Sequence, residues 1–229
     1  MSANFVNGRL LQLAMNIPVV YEDKWLMVVD KPSGLLVIPT PRNEARTLTS
    51  VLNSEAKARG FAYRLHPCHR LDRDTSGLVI YAKGKSHQQA MMRIFKEKKI
   101  RKTYLGFAHG KLAEARGRIN YPIDGQPSLT EYKTIEECKA FTVIEIMPLT
   151  GRKNQIRIHF KRIGHPLVGE RRFAFRKDFV LNAKRLCLHA SRLEFTHPVT
   201  AQAVRIQSPL PEYLTLFLQH HHASYEADN

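Results

Sequence analysis

The sequence contains few cysteines, and they lie far apart. Cys68, Cys138 and Cys187 are the three cysteines among 229 residues, and no CxxC pair occurs. This spacing argues against a zinc ribbon and against a dithiol redox motif. An odd number of separated thiols is typical of proteins from a reducing compartment. We therefore expect no disulfide framework and no metal site.

Long apolar segments are also missing. No run approaches the 18 consecutive apolar residues that indicate a membrane-spanning helix, and residues 1–20 lack the apolar centre of a secretory signal. Both absences favour a soluble, cytoplasmic protein without a membrane partner.

Acidic residues are scarce relative to basic ones. The chain has 20 Asp and Glu against 36 Lys and Arg, which gives a net charge of +16 and a pI near 10.0. Such a surplus attracts polyanions, so nucleic acid is the leading candidate partner and a membrane surface the second. Charge alone would also fit a soluble protein that is merely basic.

The chain is long enough to bury a large core as one domain or two small ones. Helices are predicted over residues 46–59, where Gly60 follows, and over 86–99, where Ser86 could cap. Predicted strands, separated by turn residues such as those at 31–34, cover 25–29, 35–38, 78–82, 103–110, 141–147, 186–189, 193–196 and 204–207. Because helices and strands alternate without a regular βαβ rhythm, the expected class is α+β.

Residues 150–164 (TGRKNQIRIHFKRIG) carry two conflicting patterns. The alternation of polar and apolar residues in NQIRIHF suggests a strand. Ile156, Phe160 and Ile163 instead have helical spacing, with Thr150 as a possible cap and Gly164 as a stop. We interpret the segment as a helix, with Arg152 and Lys153 at its amino-terminal end.

Charges of both signs crowd the stretch HPCHRLDRDTSGLVIYAKG, residues 66–84, just before an apolar strand. Asp72 or Asp74 could simply cap a turn. A pair of carboxylates could also serve a glycosidase, and DTSG faintly resembles the Asp-Thr-Gly of aspartic proteases. In a basic chain with an anionic substrate, an Asp beside Arg should have a lowered pKa and be an ionised nucleophile or base.

Five motifs in order resemble those of the RluA-type pseudouridine synthases. HRLDRDTSG resembles their HRLDxxTSG signature, and KPSGLLV resembles an early NKPxGL segment. KIRKTYLGFAHG resembles the K-x-Y motif. GRKNQIRIHF…GHPLVGE resembles a GRxHQIRxH…GHPxxGD block, and LCLHASRLEFTHP resembles the closing block. Together they cover roughly residues 17–212.

The resemblance implies a mixed, largely antiparallel β-sheet flanked by helices and loops, with a catalytic cleft along the sheet. It implies that uridine in rRNA or tRNA is isomerised to pseudouridine without cofactor or metal. We also expect a flexible leader at 1–14, a catalytic domain at 15–217 without an S4 domain, and a tail at 218–229. We expect a monomer.

The same resemblance implies roles for individual residues. The implied catalytic residues are Asp72, Tyr104 and Arg157, with Arg157 paired to Asp72 through its planar fork. The implied RNA-binding residues are His69, Arg70, Lys102, Arg152, Asn154 and Gln155.

Two positions depart from the family pattern. Asn154 stands where His is common and Glu170 where Asp is common, and we expect neither to contact the catalytic residues.

The alternatives are a catalytically silent RNA-binding or ribosome-assembly protein on the same fold, or a carboxylate hydrolase. The basic run at 96–102 would contact phosphates in either RNA-binding case.

Overall fold

The computed structural model describes residues 17–174, 181 and 183–226, with side chains described up to residue 221. The predicted leader, residues 1–14, lies outside this part of the chain. Helix α4, Glu212–Glu226, runs through the boundary predicted at residue 217. The domain boundaries therefore stay predictions.

The described residues form one ten-stranded sheet. Its strands are β1 Val19–Glu22, β2 Leu26–Lys31, β3 Leu65–Pro67, β4 Ser76–Lys83, β5 Arg101–His109, β6 Arg116–Ile119, β7 Thr130–Glu137, β8 Phe141–Pro148, β9 Leu188–Thr196 and β10 Ala203–Gln207. Their order is β1-β2-β4-β9-β5-β8-β7-β6, with β10 beside β9 and β3 beside β4. All strand pairs are antiparallel except β4 with β9. The mixed, largely antiparallel sheet that the family implies is confirmed.

Four helices cover the two faces of this sheet within the described residues. They are α1 Leu48–Ala58, α2 Lys85–Lys96, α3 Gln155–Arg162 and α4. Helices α1 and α3 pack on the same apolar cluster through Leu48, Leu52, Ile156 and Phe160. Helices α2 and α4 cover two other clusters. None of these helices is both long and apolar enough to cross a membrane.

Strand β4 is buried on both sides, which explains its unbroken apolar sequence. Val79 and Tyr81 belong to the cluster under α1 and α3, whereas Leu78 and Ile80 belong to the cluster under α2. The predicted strand at 78–82 is therefore confirmed.

Two of the predicted secondary-structure elements were wrong. Residues 35–38 are not a strand. They form a buried loop whose carbonyls at Leu36 and Val37 accept the N–H groups of Leu48 and Thr49, 2.7 and 3.1 Å away. This loop satisfies the first turn of α1, whose N-cap is Thr47. The segments 186–189 and 193–196, predicted as two strands, belong to one strand, β9. The polar residues between these segments are part of the strand and do not interrupt it.

Helix boundaries also differ. Helix α2 follows Gly84, so Ser86 lies inside it and is not its cap. Helix α3 begins after Asn154 and not at Thr150, so Arg152 and Lys153 lie in the preceding loop. The sequence reading missed helix α4 and strands β1, β3, β6 and β7, which are short or polar along one side.

Gly77 permits the parallel contact between β4 and β9. It pairs with Ala190 and has a φ of +115°, a conformation that L side chains rarely adopt. A Cβ added here would overlap the Ala190 carbonyl oxygen and lie 2.6 Å from the Ala190 nitrogen. The loop that carries the HRLD motif joins β4 just before this point.

Gly77→Ala should lower the free energy of unfolding by about 2–4 kcal/mol, because it combines backbone strain with overlap against fixed backbone atoms. Gly60→Ala is the matched control: its φ is +74° but an added Cβ meets nothing within 4 Å, so only about 1 kcal/mol should be lost. Urea unfolding measures both. Equal losses of unfolding free energy in the two variants would show that the close contact between Gly77 and Ala190 does not explain the effect.

Candidate active site

A pocket of about 240 Å³ opens where β5, the loop before β4 and the loop before α3 meet. Its lining includes eight of the nine residues that the motifs imply: Arg70, Asp72, Lys102, Tyr104, Arg152, Asn154, Gln155 and Arg157. These residues come from three separate segments of the sequence. The fold therefore brings the implied catalytic and RNA-binding residues to one place.

Residues 68–75, between β3 and β4, form the loop that carries Asp72 (the Asp72 loop). This loop is hydrogen-bonded to the turn that follows β2. The Gly34 N–H donates to the Arg73 carbonyl at 2.8 Å, and the Ser33 hydroxyl donates to the Asp74 carbonyl at 2.7 Å. Asp74 lies in a turn, and its side chain is not part of the pocket lining. The loop is thus held at both residues that follow Asp72.

Lys31 also holds the Asp72 loop in place through hydrogen bonds. Its ammonium is buried and donates to the carbonyls of Pro32, Leu35 and Arg73 at 3.0, 2.8 and 3.0 Å. Burial lowers the pKa of Lys31 to about 7, against the attraction of nearby carboxylates, Asp74 foremost. The sequence pattern placed this lysine in a turn, and its role was missed. The one signal was its position directly after an apolar strand, where an unpaired charge would be unfavourable.

The electrostatic expectation for Asp72 was wrong in sign. Burial raises the pKa of its carboxyl group above the ordinary value and outweighs the opposing charges, of which Arg157 is the largest, followed by Arg70 and Lys31. Nearby Asp74 raises it further. A carboxylate with a raised pKa is a stronger base than one held low by a salt bridge.

Tyr104 projects from the central strand β5 and is 8% exposed. It packs in the cluster with Ile144 and Ile146, while Phe107 packs in the cluster on the other face. Burial and the charge of Asp72 raise the pKa of its phenol, which therefore stays protonated at neutral pH. Its ring is a rigid apolar wall of the pocket.

Arg157 does not make the expected salt bridge to Asp72. Its Nε and Nη2 donate to the Oε2 and Oε1 of Glu170 at 2.6 and 2.8 Å, and its Nη1 donates to Asn154 Oδ1 at 3.1 Å. The expectation that Asn154 and Glu170 lie apart from the catalytic residues was therefore wrong. The two departures from the family pattern are both direct partners of one arginine.

Gln155 lines the pocket, but protein groups already occupy its amide. Its Oε1 accepts from the Thr150 hydroxyl and the Arg152 N–H, and its Nε2 donates to the Leu129 carbonyl and the Thr130 hydroxyl, all within 3.0 Å. A fully bonded amide holds its neighbours better than it binds a ligand. Gln155 therefore joins the loop before α3 to the strand β7.

His69 is the one implied site residue outside the pocket lining. Its Nε2 accepts the N–H of Ile80 at 3.0 Å, and its ring lies 5.0 Å from that of Phe95. Burial, aided by the charge of Lys102, lowers its pKa to about 3. A neutral imidazole that bonds strand β4 supports the loop and is not placed to contact RNA from this pocket.

A second cavity of about 640 Å³ adjoins the first, and Lys102 and Arg152 line both. Its other basic residues come from the run between α2 and β5, namely Lys96, Lys98, Lys99 and Arg101. Lys102 is half-buried, and burial lowers its pKa. The described part of the chain pairs Lys99 with Glu97 at 2.7 Å but gives Lys102 no carboxylate within salt-bridge distance.

The described residues contain no cluster of three or more His, Cys, Asp or Glu side chains placed to hold a metal ion. The groups that meet at the pocket are one half-buried carboxylate, one phenol and several cations. Such a set can bind an anionic substrate and act on it by nucleophilic or acid–base chemistry.

Comparison with protein families matches residues 25–162 to the RNA pseudouridylate synthase family. The ribosomal large subunit pseudouridine synthase D of Nitrosomonas europaea is 34% identical over 90% of this chain, which spans 65% of that protein's length. The dual-specificity RNA pseudouridine synthase RluA of Pasteurella multocida is 32% identical over 84% of this chain and 93% of its own.

Among solved structures, human RNA pseudouridylate synthase domain containing 4 superposes with a TM-score of 0.77. It covers 89% of this chain and 92% of its own, at 22% identity. This likeness concerns the fold. The match to the family model and the level of identity to the curated relatives confirm the family and the isomerase class that the motifs imply. The chain belongs to the RNA pseudouridylate synthase family.

Proposed function

We propose that this protein isomerises specific uridines of rRNA, tRNA or both to pseudouridine, with Asp72 as the catalytic carboxylate. The observation that carries this proposal is the position of Asp72, half-buried in a pocket beside Tyr104 and facing several cations. Its relatives are named for ribosomal large subunit RNA and for dual specificity, which supports the choice of substrate class.

The reaction breaks the bond between N1 of uracil and C1′ of ribose, and forms a bond between C5 and C1′. C5 loses a proton and N1 gains one, so no atom is gained or lost overall. Asp72 acts as a nucleophile or as an acid–base group, and both roles need a carboxylate in a water-poor site. Tyr104 forms an apolar wall against which the detached base can stack while it turns.

The target base has to leave its stack before Asp72 can reach it, because an enzyme cannot reach the reacting atoms of a base that is stacked in a duplex. Extrusion requires a few kcal/mol. Arg70 is exposed at the rim, directly before the buried Leu71 and the half-buried Asp72. We propose that the Arg70 side chain fills the space that the extruded base leaves in the RNA.

The flanking RNA strand lies, in this proposal, along the second cavity. Lys102 and Arg152 belong to both cavities, so phosphates next to the target nucleotide would meet them first and then the basic run at Lys96 and Lys98. Lys102 is partly dehydrated and lacks a carboxylate partner among the described residues, so it gains from a phosphate more than an exposed lysine does. The enzyme proposed here is a monomer that works in the cytoplasm.

Asp72→Asn should abolish isomerisation, with a rate loss of at least about 1,000-fold. Transcripts of rRNA and tRNA with tritium at C5 of uridine report the reaction by release of tritium to water. Asp74→Asn is the control, since it removes a carboxylate from the same loop but not from the pocket lining, and it should keep activity within about tenfold. Release by Asp72→Asn would reject the assignment of Asp72. No release by the wild-type protein from any RNA would reject the proposed function.

Lys96→Gln/Lys98→Gln should weaken RNA binding about tenfold at low salt and reduce the slope of log K against log salt by about 1.4, or about 0.7 for each lost phosphate contact. The rate at saturating RNA should stay unchanged, because neither residue reaches the first pocket. Lys24→Gln/Lys57→Gln removes two exposed lysines that line neither cavity. If both double variants lowered affinity equally, the strand path would be wrong.

A further inference from the structure

A closed surface loop lies between β2 and α1, next to the Asp72 loop. Its ends meet where the Leu48 N–H donates to the Leu36 carbonyl at 2.7 Å, and the Thr49 N–H donates at 3.1 Å to the carbonyl of the residue that follows Leu36. Residues 38–47 (the arginine loop) lie between these bonds. A surface segment of this length with joined ends is a compact Ω-loop, a form that frequently carries a function.

Glu44 gives the arginine loop a fixed shape. Its Oε2 accepts the Thr40 N–H at 2.8 Å, and the Thr40 hydroxyl donates to the same carboxylate at 2.9 Å. The Asn43 N–H closes a turn by donating to the Thr40 carbonyl at 2.9 Å. Pro39 and Pro41 restrict the backbone on either side of Thr40. Glu44 is the one acidic residue of residues 38–47, and its carboxylate is committed to these internal bonds.

The arginine loop is attached to the Asp72 loop in two places. Arg73 Nη2 donates to Glu44 Oε1 at 3.2 Å. Just before the arginine loop, the Leu35 carbonyl accepts from Lys31 Nζ, which also donates to the Arg73 carbonyl. Because Arg73 directly follows Asp72, these bonds place the arginine loop beside the loop that forms one wall of the catalytic pocket.

The arginine loop and the second cavity lie on opposite sides of the pocket. The arginine loop follows β2, whose neighbour in the sheet is β4, whereas the second cavity is lined by residues at the ends of β5, β7 and β8. Strand β9 separates these two groups of strands in the sheet order. An RNA strand that crosses the pocket from the second cavity therefore runs toward the arginine loop.

Two arginines of this loop carry charge that no described carboxylate neutralises. Arg42 and Arg46 are exposed, and the described part of the chain gives neither of them a carboxylate within salt-bridge distance. Exposed arginines are common on basic proteins. These two differ because they belong to a loop that is already ordered, so less freedom is lost when a ligand binds. The planar guanidinium group binds a phosphate through two parallel hydrogen bonds.

We propose that the arginine loop is a second RNA-binding surface, which holds phosphates on the side of the target nucleotide away from the second cavity. Arg42 and Arg46 bind the phosphates, and Glu44 is a positioning residue that fixes the loop. This inference rests on the proposed function and deepens it, since the RNA strand is then held on both sides of the nucleotide that enters the pocket. Two linked surfaces bind one strand more tightly than either does alone.

Arg42→Gln/Arg46→Gln should weaken the binding of rRNA and tRNA transcripts about tenfold at low salt. The slope of log K against log salt should fall by about 1.4, or about 0.7 for each lost phosphate contact. The rate at saturating RNA should stay unchanged, because neither residue lines the pocket. Filter binding over a series of salt concentrations measures the affinity.

Arg59→Gln/Arg64→Gln is the matched control. It makes the same change of charge at two exposed arginines that line neither the pocket nor the second cavity, and it should change the affinity less than about twofold. Equal losses in the two double variants would overturn the proposal, and so would wild-type affinity in Arg42→Gln/Arg46→Gln.

The length of the RNA tests whether the two surfaces hold one strand. On long transcripts, combining Arg42→Gln/Arg46→Gln with Lys96→Gln/Lys98→Gln should weaken binding about 100-fold, because the two losses multiply. A single-stranded oligonucleotide of about four nucleotides reaches one surface at a time. Each double variant should then lose only about twofold, because the oligonucleotide binds the other surface. Losses that do not multiply on long transcripts, or that multiply on the short oligonucleotide, contradict surfaces on opposite sides of the pocket.

Variants of Glu44 distinguish an ordered loop from diffuse charge. Glu44→Ala makes the chain more basic, so charge alone predicts tighter binding. The proposal instead predicts binding about threefold weaker, because Thr40 and Arg73 lose their acceptor and the loop has to be ordered when RNA binds. Glu44→Gln makes the same change of charge but keeps an oxygen acceptor, and it should bind at least as tightly as the wild type. Equal affinities of the two variants would overturn the positioning role of Glu44.

Thermal unfolding confirms that each variant is folded before its affinity is compared. The affinities are measured without isomerisation, so the arginine loop is tested even if no RNA releases tritium. Failure of the proposed function appears as absent tritium release by the wild-type protein. Failure of this inference appears as unchanged affinity in Arg42→Gln/Arg46→Gln.

Discussion

The site depends on one buried ammonium group. Lys31 Nζ donates to three carbonyl oxygens: those of Pro32 and Leu35, which follow β2, and that of Arg73 in the Asp72 loop. Three acceptors match the three N–H bonds of an ammonium ion. Without this group, the Pro32 and Leu35 carbonyls would lose the donor that the structure gives them, and the Arg73 carbonyl would keep only the Gly34 N–H. Each buried carbonyl left without a donor is unfavourable. The loop position that presents Asp72 follows from this contact.

The parallel pairing of β4 with β9 is the second constraint on that loop. Every other neighbour in the sheet is antiparallel, and this pair is short, with Ser76 opposite His189 and Gly77 opposite Ala190. Gly77 lets the two backbones meet closely. Residues 72–75 must therefore turn sharply above the strand ends, where Asp72 meets side chains from β5 and from α3.

The charge of Asp72 depends on two opposing effects, burial and nearby cations. Burial favours the protonated form of Asp72, and the cations Arg157, Arg70 and Lys31 oppose it. Glu170 takes up part of the arginine charge. The remaining positive charge continues along Lys102 and Arg152 into the second cavity. A polyanion can thus bind beside Asp72, because the cations extend from this carboxylate along both cavities.

Local sequence determined a large part of this protein. The apolar strand at 78–82, the helical spacing of Ile156 and Phe160, and the ordered motifs around Asp72 and Tyr104 all predicted what the structure contains. These features depend on residues close in sequence, whose side-chain period follows directly from backbone geometry. The net charge of +16 likewise indicated a polyanionic partner.

Which side chains contact one another follows from the tertiary structure and not from local sequence. The sequence offers Arg157 several acidic residues, and the choice of Glu170 over Asp72 depends on how the chain after α3 returns to the helix. The direction of the Asp72 pKa depends on burial, which no local pattern reports. His69 and Gln155 carry polar side chains suited to RNA, yet protein groups occupy them. Long-range packing sets these outcomes because a hydrogen bond or a desolvated charge depends on every segment that surrounds it.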